Sequence, residues 1–178
     1  MKVFLTLAAF VTLSANTMFA DVLFTDGTWE EFLFGGVGSF ATGCGGGCEP
    51  TTDPVADASL NAPWTFTGPA MLQVLDLFTS GDQFAIFDNN VLLSNTSTPG
   101  GNGACVNDIG CALADTADYS YLDYALGAGD HSITIQTVAA VSGGGAAVLS
   151  ATATPEPGTL ALLAGGLGLL GFRRWRKA

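Results

Sequence analysis

Between residues 21 and 152 the apolar positions follow the two-residue period of half-buried strands, and little of it follows the 3.6-residue period of helices. His131–Val138 is the clearest case. Ile133 and Ile135 share one face there, with Ser132, Thr134 and Gln136 on the other. In Gln83–Phe87, Phe84 and Ile86 stand opposite Gln83, Ala85 and Phe87. Further strands are expected at Trp29–Phe34, Trp64–Thr67, Leu72–Phe78, Val91–Asn95, Ser120–Leu126 and Ala146–Ala151. Turn chemistry divides them: Ser80-Gly81-Asp82, Asp88-Asn89-Asn90, Gly127-Ala128-Gly129-Asp130 and Ser142-Gly143-Gly144-Gly145. Asn tolerates the left-handed backbone, so Asp88-Asn89-Asn90 is expected to close a hairpin. About eight short strands at this spacing predict an all-β fold, an antiparallel β-sandwich of jelly-roll type. Thr96–Asp118 reads as one long loop, a feature that is usually functional or mobile.

The two ends break this pattern. Lys2 is followed by an apolar stretch, Val3–Leu13, then by small and polar residues up to Ala20. That is the layout of a secretory signal peptide over residues 1–20, cut after Ala20, with a cut after Ala15 as the alternative. At the other end Pro155-Glu156-Pro157 precedes an apolar segment, 158–172, and a basic terminus, 173–178. Sixteen residues counted from Pro157 would span about 24 Å as a helix. A hydrocarbon core is about 30 Å thick. Snorkelling of Arg173 and Arg174, with Trp175 at the interface, makes up the difference, so a single C-terminal transmembrane helix is expected. Arg173, Arg174, Arg176 and Lys177 place the terminus in the cytoplasm and the body outside.

Motif, apolar run with its glycines and basic cluster, in this order, resemble the PEP-CTERM sorting signal of Gram-negative bacteria over residues 153–178. The resemblance implies an exosortase as partner and processing near Pro155, Glu156 and Pro157. It also implies transient anchoring in the inner membrane, then delivery to the cell surface or extracellular matrix, linked to exopolysaccharide. The two prolines suit such a site, because they hold the segment extended where a protease cleft grips it. A second likeness covers roughly residues 62–138. Trp64-Thr65-Phe66-Thr67, Gly81-Asp82-Gln83-Phe84, Phe87-Asp88-Asn89-Asn90 and Gly129-Asp130-His131-Ser132 resemble the β-sandwich ectodomain of many PEP-CTERM proteins and some fungal secreted proteins. That likeness implies a fold and an exported setting, and no chemistry.

Charge sharpens the division. All five basic residues lie in the leader or the tail, and all sixteen carboxylates lie between Asp21 and Glu156. The body therefore has no Lys or Arg with which to form salt bridges. Nucleic acid and anionic membrane surfaces are repelled by such a body, so nucleic acid is not an expected partner and the inner membrane enters only through the tail. Divalent cations are its natural counter-charge, and Ca²⁺ is the one cofactor the composition suggests. Solubility in an anionic extracellular setting explains the same acidity without a ligand.

Four cysteines, Cys44, Cys48, Cys105 and Cys111, fit an oxidising compartment. Local pairs, Cys44–Cys48 and Cys105–Cys111, are the simplest of three connectivities. A zinc site built from all four is the alternative.

Catalysis requires a constellation, and none stands out. His131 is the only histidine, the body holds no Lys, and no Gly-x-Ser-x-Gly elbow is present. His131 reads as a surface or turn residue, and an enzyme is not expected. Asp76, Asp82 and Asp88 are evenly spaced and, with Asn89 and Asn90, are candidate Ca²⁺ ligands at one end of the sandwich. The competing reading is local hydrogen bonding by turn residues. Trp64, Tyr119, Tyr121 and Tyr124 are candidate sugar-stacking rings, or core. The expected function is a structural or adhesive surface protein. The alternative is a carbohydrate-binding module, with or without a Ca²⁺ requirement.

Overall fold

The structure, a computed structural model, describes residues 20–154. The leader, the Pro155–Pro157 motif, the apolar segment 158–172 and the basic tail lie outside them, apart from Ala20. Among the described residues no helix is long and apolar enough to cross a membrane. In chain order the elements are β1 (Asp21–Val22), β2 (Asp26–Gly35), β3 (Thr42–Gly43), β4 (Asp57–Ala58), β5 (Trp64–Asp76), β6 (Gln83–Asp88), β7 (Val91–Asn95), α1 (Ile109–Ala114), β8 (Tyr121–Ala139) and β9 (Gly144–Ala153).

The antiparallel β class holds. The strands join in the order β3-β2-β9-β5-β8-β6-β7, each antiparallel to its neighbour, while β1 and β4 add short parallel pairs to β5 and β2. The two separate sheets of a sandwich give way to one connected sheet that curls like half a barrel. The reason is that four expected strands are two long ones. Trp64–Thr67 and most of Leu72–Phe78 belong to β5; Ser120–Leu126 and His131–Val138 merge into β8. Gly68-Pro69 and Gly127–Asp130 look like breaks in sequence. In the fold they bend a strand pair that stays paired, with a register shift between Gly68 and Ala70. Gly68 is required by close approach: a Cβ there would stand 2.3 Å from the Gly127 carbonyl oxygen and 2.8 Å from His131 Nε2.

The curl closes on a core supplied by inward positions of β2, β5, β6, β8 and β9, with Phe32, Trp64, Leu72, Phe84, Ile133 and Leu149 all fully buried. Phe32 packs 5.5 Å from Trp64 and 5.7 Å from Phe84, and Phe34 lies 4.9 Å from Phe84, measured between ring centres. These rings join strands that are not neighbours in the sheet, so they hold the curl shut. Burying each contributes about 1.5–3 kcal/mol. The tight turn at Asn89 and Asn90 forms as expected, both with positive φ (49° and 64°).

The outer face of β2, β5 and β9 carries a second core. Trp29, Leu75, Leu77 and Val148 pack there against Cys105, Ile109, Ala112 and Tyr119. The Thr96–Asp118 segment is therefore a packed cover and not an open loop. It contains α1, which six residues and two buried apolar positions, Ile109 and Ala112, left below the threshold of a helical pattern. Asp108 caps this helix, its carboxylate accepting from the Cys111 N–H at 2.8 Å.

Candidate functional site

The three aspartates expected to meet in one cation site are divided between the two ends of β6. Asp82 directly precedes the strand and Asp88 closes it, about 20 Å away at the rise of an extended chain.

At the Asp88 end the site is built around His131. Antiparallel pairing of β6 with β8 sets Asp88 opposite Ile133, two residues from His131. Asp88 Oδ2 lies 2.8 Å from His131 Nδ1, and Asp88 Oδ1 accepts from the Ser132 N–H at 3.0 Å. His131 Nε2 lies 3.0 Å from the Gly127 carbonyl oxygen. A carbonyl only accepts and a carboxylate accepts, so the ring donates from both nitrogens as an imidazolium. Burial is the largest single influence and pulls the His131 pKa down. The hydrogen bonds to Asp88 and Gly127, with the Asp88 and Asp130 charges, outweigh it, and the net shift is upward. The surface or turn position expected for His131 is corrected: its exposure is 9 %, and the Phe66 ring packs against it at 5.2 Å. Both ring nitrogens are engaged.

Beside this pair runs a groove of about 660 Å³. Its wall includes Phe24 and Thr65 from the β1–β5 side and Asn89, Asp130 and Ser132 from the β6–β8 side. Phe24 is 65 % exposed. Thr67, also in the wall, donates to Asp130 Oδ1 at 2.9 Å.

At the opposite end Asp76 and Asp82 come together in the interior, at 0 % and 1 % exposure. Asp76 Oδ2 accepts from the Gly81 and Asp82 N–H groups at 3.0 and 3.1 Å, and Asp82 Oδ1 accepts from Val141 N–H at 2.7 Å. Asp76 Oδ1 and Ser120 Oγ are buried without partners. Burial, then the Asp82 charge, pushes Asp76 up to about 7; burial also raises Asp82. These are turn-holding carboxylates, closer to the local reading than to the calcium reading, and Asp88 is not among their neighbours.

Cys44 pairs with Cys48 and Cys105 with Cys111, at Cα separations of 5.0 and 5.5 Å. The pairs sit on different loops, so the four sulfurs do not form one zinc site. Glu31, Cys44 and Cys48 place ligand atoms within 4.8 Å of one another, but the two sulfurs are bonded to each other. Among the candidate stacking rings, Trp64 and Tyr119 are fully buried and unavailable. The Tyr119 hydroxyl accepts from Cys105 N–H at 2.8 Å. Tyr121 is half-buried, its hydroxyl accepting from Gln73 Nε2 at 2.6 Å, and Tyr124 is half-buried against the core. The exposed ring at the groove, Phe24, escapes sequence reasoning, because a single Phe beside a leader resembles core.

The body ends beside the same groove. The Ala153 N–H donates to the Thr25 carbonyl at 2.9 Å and the Thr154 N–H to the Pro69 carbonyl at 3.0 Å, one residue before Pro155. A family model for the PEP-CTERM protein-sorting motif matches residues 153–177. The match contains Pro155, Glu156, Pro157, Arg173, Arg174, Arg176 and Lys177. No curated protein and no solved structure matches the chain. The chain carries a PEP-CTERM sorting motif at its C-terminal end. The motif implies export, membrane-associated sorting to the cell surface, and an exosortase as partner.

Proposed function

We propose that this chain is a non-catalytic surface or matrix protein with a structural or adhesive role within exopolysaccharide. The observation that carries the reading is the sorting motif, which begins where the last strand stops. Three titratable groups that are engaged or sealed support the non-catalytic part. His131 has both nitrogens engaged, and Asp76 and Asp82 are sealed from substrate. The signal peptide over residues 1–20 and the membrane helix over 158–172 belong to the same proposal, as transient anchoring before exosortase cleavage. The test is the mass of the C-terminus on surface-released protein in the native host. Loss of Arg173–Ala178 is expected; an intact tail would sink the sorting route.

The Phe24 groove favours a second reading, a carbohydrate-binding module. One exposed ring beside Thr, Asn, Ser and Asp side chains matches what a sugar requires: an apolar face to stack on and oxygens to bond. Binding of the processed protein to the host's exopolysaccharide, with Ca²⁺ and with chelator, separates the readings. Saturable binding lost in Phe24→Ala supports the module. No saturable binding leaves the structural role. Chelator sensitivity would restore a calcium requirement that the divided aspartates do not suggest.

A further inference from the structure

Asp21 is fixed more firmly than an entry residue needs to be. Its backbone nitrogen donates to two carbonyls at once, Asn61 at 3.3 Å and Pro63 at 3.1 Å. Its carboxylate accepts from the Leu60 N–H, and its carbonyl accepts from the Thr65 hydroxyl at 3.0 Å. A peptide nitrogen has one hydrogen to share between two acceptors, whereas an ammonium has three. The corner is also short of positive charge. Glu30 on β2 is 6 % exposed with Oε2 unpartnered, and it pairs in register with Asp57 on β4. Burial, then the charges of Asp21, Asp57 and Asp26, pushes Glu30 up to about 7. No Lys or Arg exists between residues 21 and 154. The single histidine is committed to Asp88.

We propose that hydrolysis of the Ala20–Asp21 bond converts the Asp21 nitrogen into an α-ammonium that docks on the Asn61 and Pro63 carbonyls and supplies this corner's missing cation. Water adds to the Ala20 carbonyl carbon and the C–N bond breaks. The leader leaves with a carboxylate, and the freed amine takes up a proton. Ala20 is exposed, so the bond lies at the domain surface. A cut after Ala15 would start the mature chain at Asn16 and leave Asp21 an amide. Maturation at Asp21 thus completes the fold electrostatically. The charged groups of this corner are the carboxylates of Asp21 and Glu30, with Asp57 and Asp26 acting on Glu30, and the ammonium's contribution fades as pH rises through its own pKa. The inference concerns the N-terminus alone, so its failure leaves the C-terminal sorting route untouched.

The test uses the full chain exported in a host that has a leader peptidase but no exosortase, so that the leader is cut and the tail is kept. The sequence supplies an internal control: after leader removal the amines are the α-amine and Lys177, because Lys2 departs. N-terminal mass should give Asp21. An acetylating succinimidyl ester should modify the α-amine roughly ten-fold more slowly in the folded protein than in urea, while Lys177 reacts at similar rates in both. A Gly-Ser insertion between Ala20 and Asp21 should abolish the protection and lower Tm by roughly 3–6 °C. A start at Asn16, equal labelling of the α-amine in both states, or an unchanged Tm on insertion would each overturn the proposal.

Discussion

The two ends of β6 carry the same kind of residue in opposite circumstances. At one end Asp88 faces an imidazolium and the Ser132 amide at the rim of an open groove. At the other Asp76 and Asp82 face each other inside the protein, held by backbone amides, in a body without Lys or Arg. The first carboxylate holds a charge pair; the second is pushed toward its neutral form by burial and by its neighbour. Acidity alone therefore says little about a site. What decides is whether the fold delivers a positive partner, and this domain has one histidine to deliver.

Removing the acceptor at either end should have the largest effect. Asp88→Ala leaves His131 Nδ1 and the Ser132 amide without their acceptor. Asp76→Ala does the same to the Gly81 and Asp82 amides. Each should cost about 3 kcal/mol in urea denaturation. A loss below about 0.5 kcal/mol at one end would show that its carboxylate does not hold the backbone around it.

Reducing the Cys105–Cys111 disulfide comes next. It closes a short loop in the cover next to the Asp76 end, where the Phe78 N–H donates to the Val106 carbonyl at 2.6 Å. The Cys105→Ser, Cys111→Ser double variant should lose about 2 kcal/mol. Hydrogen exchange should quicken around Leu77 and Tyr119 and stay unchanged at Asp88. Faster exchange at Asp88 would show that the two ends are not independent.

Conservative substitution separates the two chemistries. Asp88→Asn removes the charge that the imidazolium needs and should cost about 1–2 kcal/mol at pH 6. Asp76→Asn keeps an acceptor and relieves repulsion with Asp82, so it should be neutral or stabilising at pH 8. The pH profile follows. Asp76 is raised from 3.8 to about 7 and Glu30 from 4.5 to about 7 in the fold. Between about pH 4 and 7 the folded protein keeps protons that the unfolded chain has lost, so stability falls as pH rises through that window. His131, also raised, has the same sign: its contribution is full below about 6.5 and is lost as pH climbs through its folded value. Melting temperature should therefore fall from pH 5 to pH 8. Asp76→Asn should flatten the acid part of that slope, and His131→Gln the part above pH 6.5. A Tm that rises over this range would contradict the assignment at both ends.

The smallest stability change belongs to Phe24→Ala, below about 0.5 kcal/mol for an exposed ring outside the core. Any large effect of that variant should be confined to glycan binding, which makes it a clean probe of the groove.

Several features were legible from the order of residues alone. A two-residue hydrophobic period needs only local stereochemistry, and it marks the strands at His131–Val138, Gln83–Phe87 and Val91–Asn95. The Asn89-Asn90 turn and the two short-range disulfides were equally local, because neighbouring residues define them. The sorting tail was legible because a protease and a membrane read a linear string of motif, apolar run and charge. What the tertiary structure decided is where distant positions meet. Gly68 and Gly127 bend paired strands without ending them, which curls one sheet where two were expected. Trp64 and Tyr119 became core, Thr96–Asp118 became a cover, and Asp88 was drawn to His131 and away from Asp76. Those outcomes depend on contacts between residues far apart in the chain, and no local pattern carries that information.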